Sequence, residues 1–197
     1  NLPNSLTVFR IAIIPVLVVM YLLKGWPGRE LWLTVVFVIA AITDWLDGYL
    51  ARRMNLSSPF GAFLDPVADK LIVSTALVLL VSDAAILNHV YSSVLFIISV
   101  AVIIGREIVI SALREVMADM GKRGDVAVDK TGKYKTAFQL ISISMLLYAE
   151  PLLGLPIFKI GELLLYLAVG LTLWSMWIYL SAAAKSFEVT DTPENHE

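Results

Sequence analysis

The chain has 197 residues, of which 58% are hydrophobic and 16% charged, with a formal net charge of -2. A mean hydropathy of +0.80 and a charged share well under the ~25% usual for soluble domains exclude an ordinary water-soluble domain and indicate an integral membrane protein. The absence of cysteine excludes disulfides, thiolate metal sites and cysteine nucleophiles, and the two histidines, His89 and His196, stand apart from each other.

Apolar runs of spanning length fall at about 5–23, 31–50, 68–82, 90–113, 137–150 and 161–183, which predicts an all-α protein with six transmembrane helices. They form one membrane domain over residues 1–187, and the acidic, polar stretch 188–197 is expected to be a disordered tail. The first run lacks the small-residue cleavage site of a signal peptide and opens with polar Asn4, Thr7 and Arg10. Breaker-rich connections follow the first, third and fifth runs: "KGWPGRE", "SDAAILNH" and "EPLLGLPIFKIG". Asp83, Glu150 and Glu162 lie at these helix ends and are expected to lack matched partners. Trp26, Trp32, Trp45, Trp174 and Trp177 read as interfacial belt residues.

With a cytoplasmic N-terminus, twelve of the fifteen Lys and Arg fall at the termini, in the connections after the second and fourth runs, or on the helix ends beside them. Only Lys24, Arg29 and Lys159 fall on the other side. The positive-inside rule therefore puts both termini at the cytoplasmic face of a multi-pass cell-membrane protein.

The stretch "TDWLDGYLARRMNLSSPFGAFLDPVADK", Thr43 to Lys70, then lies on that face with four aspartates. Asp44, Asp47, Gly48 and Ala51 follow an i, i+3, i+4, i+7 spacing, and Gly61, Asp65 and Asp69 are four apart, so each set shares one face of a helix. Two such helices joined near "NLSSP" can set four carboxylates against each other, with small residues leaving room for a ligand. Carboxylates that close repel and raise one another's pKa unless a cation intervenes. An all-oxygen donor set favours Mg2+ or Mn2+, with Ca2+ also admissible, and two ions sharing carboxylates suit phosphoryl displacement.

The fixed residues Asp44, Asp47, Gly48, Ala51, Arg52, Gly61, Asp65 and Asp69 match the signature of the CDP-alcohol phosphatidyltransferase family, which the chain resembles along nearly all its length. "NLPNSLTVFRIAIIPVLV", "REIVISALREVMADMGKRGDVAV" and "GKYKTAFQ" are similar to the branch whose acceptor is a phosphorylated glycerol. The resemblance implies metal-dependent transfer of the phosphatidyl group from CDP-diacylglycerol to sn-glycerol 3-phosphate, releasing CMP, within a homodimer and with no nucleic-acid partner. It implies that Asp44, Asp47, Asp65 and Asp69 bind the metals, Asp69 is the general base, and Gly48, Ala51, Arg52 and Gly61 meet the nucleotide.

The acceptor's phosphate needs cations. Arg106 lies within an apolar run, where a charge must be paired or functional, and Glu107 beside it points about 100° away around a helix. Arg106, Arg114, Lys133 and Lys135 are the candidate phosphate-binding residues. Thr7 and Arg10 are candidate cavity-lining residues, and Lys122, Arg123 and Lys130 read as contacts to anionic membrane lipids. Two alternatives stay open: the same chemistry with serine, inositol phosphate or phosphatidylglycerol as acceptor, and an ion or metal transporter, since intramembrane carboxylates also mark ion pathways.

Overall fold

The computed structural model describes the backbone of residues 2–54, 59–120 and 131–190 and the side chains of 7–44, 46, 67–120 and 134–184. Within these bounds the chain is helical, with one isolated bridge between Leu152 and Leu155 and no strand. The helices are α1 (Leu2–Leu22), α2 (Arg29–Met54), α3 (Pro59–Ser82), α4 (Ala84–His89), α5 (Ser93–Asp119), α6 (Thr131–Tyr148) and α7 (Ile157–Thr190). Apolar segments without water to hydrogen-bond must satisfy their own amides, and the helix does this along its whole length.

Six of the helices are long, and the seventh, α4, has six residues. It occupies "AAILNH", part of a segment expected as a plain connection. The reason is a local cap: the Asp83 side chain accepts a hydrogen bond from the Ala85 amide at 3.0 Å, satisfying a donor that the first turn leaves open. Ser92 caps α5 in the same way through the Leu95 amide at 3.3 Å. The sequence placed the third helix at 68–82, but α3 starts at Pro59, where proline suits the first helical position. Helix α2 likewise runs on to Met54, so both halves of the aspartate signature sit on continuous helix. At the other end of the chain α7 reaches Thr190, which makes 188–190 of the expected tail helical. Residues 191–197 lie outside those described.

The bundle is tightest where α6 meets α7, and α1 packs against α2 and α3. A Cβ added at Gly161 of α7 meets the Met145 Cβ at 2.8 Å and the Ser142 carbonyl oxygen at 3.2 Å. Ser142 Oγ donates to the Gly161 carbonyl at 2.7 Å. Close backbone approach through glycine, sealed by a serine hydrogen bond, is how helices associate where lipid offers no hydrophobic drive. The core between the helices holds Leu17, Leu33, Phe37, Leu77, Phe96, Ile103, Leu146 and Leu165, all fully or almost fully buried. Outside it, Val19, Ile42, Val78, Ile108, Leu163, Trp174 and Trp177 are exposed, which suits a lipid-facing wall and not a water-facing one. Two stretches of described residues, Ser93–Asp119 and Ile157–Ala184, are long and apolar enough to cross a membrane by length and composition, and Thr7–Leu22 is a shorter apolar helix.

One end of the bundle carries α4 and two carboxylate networks, which corrects the expectation that Asp83 and Glu162 lack partners. Asp83 also accepts from Tyr21 Oη at 3.3 Å and Lys24 Nζ at 3.4 Å. Burial pushes its carboxyl up, but the Ala85 amide, Lys24 and Tyr21 outweigh this and hold it below the ordinary range. Glu162, buried at the start of α7, accepts from the Tyr91 amide at 2.6 Å and Tyr166 Oη at 2.8 Å and pairs with Lys159 at 3.2 Å. These bonds fasten the α4–α5 connection to α7. The three basic residues expected on this side, Lys24, Arg29 and Lys159, all meet partners from this end: Asp83, Tyr21 and Glu162 respectively.

Candidate functional site

Toward the opposite end a cavity of about 590 Å³ opens between four helices. Helix α3 contributes Asp69, Lys70 and Val73; α5 contributes Arg106, Glu107 and Arg114; α6 contributes Lys135, Thr136, Ala137, Gln139 and Leu140; α7 contributes Ser175 and Tyr179. Helical spacing explains the set. Lys135 and Gln139 are four apart, as are Ser175 and Tyr179, and Glu107 and Arg114 are seven apart, so each pair lies on one stripe. The structure thus gathers Asp69, Arg106, Arg114 and Lys135, four of the residues singled out in the sequence, around one space.

The cations there are held in place. Arg106 Nη1 pairs with Glu107 Oε1 at 2.7 Å, and Lys135 Nζ lies 3.4 Å from the same oxygen. Glu107, which the 100° between neighbouring helix positions did not make an obvious partner for Arg106, pairs with it all the same. Their Cα–Cβ bonds diverge, but both side chains are long enough to turn into the space between α5 and α6. Arg114 Nη2 donates to Tyr179 Oη at 3.2 Å, and its guanidinium lies 5.6 Å from that ring's centroid. Lys70 donates to Ser111 Oγ, whose own hydrogen goes to the Glu107 carbonyl at 2.8 Å. Both Arg106 and Lys135 are buried, with side-chain exposures of 8% and 4%. Buried charges of this kind require counter-charge.

The aspartate side is described in part. Asp44 pairs with Arg10, and Arg10 and Thr7 are both buried on α1. Neither is among the described residues that line the cavity. Asp69 is near enough to Asp44 and Glu107 to be repelled by both, and to Arg10 and Lys70 to be attracted. The side chains of Asp47, Gly48, Ala51, Arg52, Gly61, Asp65 and Lys133 lie outside the described residues, as do residues 122, 123 and 130. Among the described residues no three Asp, Glu or His come together as a metal cluster. The donors that α2 and α3 present, Asp44 and Asp69, are carboxylate oxygens, a chemistry that fits a hard divalent cation.

Sequence reasoning missed Glu107, Lys70, Gln139, Ser175 and Tyr179. Two signals pointed to Glu107 and Gln139: the spacing of seven from Glu107 to Arg114, and a glutamine one turn beyond Lys135 in an apolar run.

A membrane-type helical bundle with acids and buried cations around one cavity defines a class, and the comparison with known proteins agrees with it. The family model for CDP-alcohol phosphatidyltransferase matches residues 1–174, and the chain belongs to that family. It is 47% identical over 184 residues to the CDP-diacylglycerol--glycerol-3-phosphate 3-phosphatidyltransferase of Salmonella choleraesuis (strain SC-B67), covering 93% of this chain and 94% of that relative. The protein of the same name from Escherichia coli (strain K12) is 46% identical over the same coverage.

Proposed function

We propose that the chain transfers the phosphatidyl group of CDP-diacylglycerol to the primary hydroxyl of sn-glycerol 3-phosphate, giving phosphatidylglycerol phosphate and CMP for phospholipid synthesis. The observation that carries this reading is the cavity in which Asp69 of the signature faces Arg106, Arg114 and Lys135. A hydroxyl acceptor that also bears a phosphate needs a base and a cluster of cations within one small volume, and this cavity supplies both. The names of relatives that match over nearly their whole length support the choice of acceptor.

In this mechanism Arg106, Arg114 and Lys135, with Lys133 beside them in sequence, bind the acceptor's phosphate and so aim its primary hydroxyl at the donor. Asp69 takes the hydroxyl proton as the oxygen attacks the phosphatidyl phosphorus in line. The bond from that phosphorus to the CMP oxygen breaks, and CMP departs without a covalent enzyme intermediate. Gly48, Ala51, Arg52 and Gly61 give the nucleotide a close approach and a cation. Asp44, Asp47, Asp65 and Asp69 would hold a divalent metal, Mg2+ or Mn2+ and two ions by ligand number, which when bound neutralises the pyrophosphate and the departing CMP. Holding the reacting groups in line accounts for much of the rate such a site can supply.

The six long helices cross the membrane, with the termini and the cavity at the cytoplasmic face, and two chains form a homodimer. Charge supports the orientation, since among the described side chains the α4 end holds only Lys24, Arg29 and Lys159 of the Lys and Arg residues. The test is an acceptor comparison with purified protein in detergent, CDP-diacylglycerol being offered with glycerol 3-phosphate, serine, inositol phosphate or phosphatidylglycerol. CMP release is expected to be fastest with glycerol 3-phosphate; a stronger preference for another acceptor contradicts the assignment.

A further inference from the structure

The proposed reaction uses Arg106, Arg114 and Lys135 and gives Glu107 no part, yet Glu107 is the group that two of those cations, Arg106 and Lys135, already hold. Its Oε1 is 2.7 Å from Arg106 Nη1 and 3.4 Å from Lys135 Nζ. One carboxylate oxygen between a guanidinium of α5 and an ammonium of α6 copies what an oxygen of a bound phosphate would do. Among the described residues the cavity's ionisable lining points the same way: Lys70, Arg106, Arg114 and Lys135 against Asp69 and Glu107 leave a net charge of about plus two, the complement of a phosphate monoester dianion. Arg106 also keeps its Nε without a hydrogen-bond partner among the described residues, so its guanidinium has donor capacity that Glu107 does not use.

We propose that Glu107 is a positioning residue that stands in for the acceptor's phosphate, holding Arg106 and Lys135 in the empty cavity and yielding both to the incoming dianion. The inference rests on the reading of the acceptor as a phosphate monoester. Without Glu107 the two buried cations lose the carboxylate they share, which destabilises the protein when no acceptor is bound. With it, an acceptor must displace a pairing already made, so binding is weaker than the cations alone would give. The product keeps the same phosphate, and Glu107 competes for the cations again as that product leaves. Glu107 therefore weakens acceptor binding and speeds product release.

The experiment uses the full chain in detergent and reads two quantities: the thermal midpoint with and without inorganic phosphate, and KM and kcat for glycerol 3-phosphate. Glu107→Gln is expected to lower the midpoint without phosphate and to gain more from added phosphate than the wild type does. Its KM should fall by about 3- to 10-fold and its kcat should fall with it, because an interaction that opposed binding has gone. Glu107→Asp keeps the charge and is expected to retain most of the wild-type phosphate response. A purely structural Glu107 gives the opposite pattern: a KM that rises in Glu107→Gln, or a phosphate shift no larger than the wild type's, overturns the proposal. If Glu107→Gln does not fold, Lys135→Met decides, since the proposal requires a smaller phosphate shift there and an unchanged shift overturns it. A wild type that binds phosphate and shows the Glu107→Gln pattern, but releases no CMP with glycerol 3-phosphate, keeps this role for Glu107 and removes the acceptor reading.

Discussion

Asp69 lines the cavity from α3 with Lys70 next to it and Glu107 across from it, and replacing one carboxylate oxygen by an amide removes its capacity to take a proton. Asp69→Asn is expected to lower kcat by about 10²- to 10⁴-fold, the usual worth of a general base, with little change in the unfolding temperature. Activity near wild type would remove Asp69 from that role. At the far end of the bundle Asp83 makes a different prediction. Its carboxyl is held low by the Ala85 amide, Lys24 and Tyr21 against the opposing effect of burial. A group whose folded pKa is depressed contributes stability that is fully present above its unfolded value, near 4, and is lost as pH falls through the folded one. Asp83→Asn is therefore expected to flatten the fall in thermal midpoint between neutral pH and about pH 3. Equal slopes for the two proteins contradict the pairing.

At the scale of helices, the α6–α7 contact depends on one missing side chain. Gly161→Ala places its Cβ 2.8 Å from the Met145 Cβ, and such overpacking costs about 1–3 kcal/mol. Gly170 on the same helix has open space where its Cβ would be, so Gly170→Ala should be neutral or slightly stabilising, because alanine favours the helix. Thermal unfolding of the two variants checks this, and equal losses would contradict the packing. Helix type was legible from apolar run length alone, but helix ends were not. The apolar pattern reports where lipid is, while α2 and α3 continue past the lipid through polar residues to Met54 and back to Pro59. Helix α4 depends on one capping aspartate, which periodicity does not see. The cavity's cations were legible because an arginine within an apolar run demands a reason. Most of their partners were not, because Ser111 meets Lys70 only once α3 packs on α5, Glu107 meets Lys135 once α5 packs on α6, and Tyr179 meets Arg114 once α7 packs on α5.

For the whole molecule, the cysteine-free sequence makes topology directly measurable. Single substitutions Asn88→Cys, on α4, and Asp119→Cys, at the end of α5, lie at exposed positions toward opposite ends of the bundle. A membrane-impermeant maleimide is expected to label Asn88→Cys in intact cells and Asp119→Cys only after the membrane is opened. The reverse pattern would place the cavity on the outer face, away from cytoplasmic nucleotide. The central claim is the coupled transfer itself, and phosphorus NMR of purified protein with CDP-diacylglycerol, glycerol 3-phosphate and Mg2+ tests it most directly. CMP and phosphatidylglycerol phosphate should appear in equal amounts, and a chelator should stop both. CMP without the phospholipid product, or conversion that continues after the metal is removed, would contradict the account.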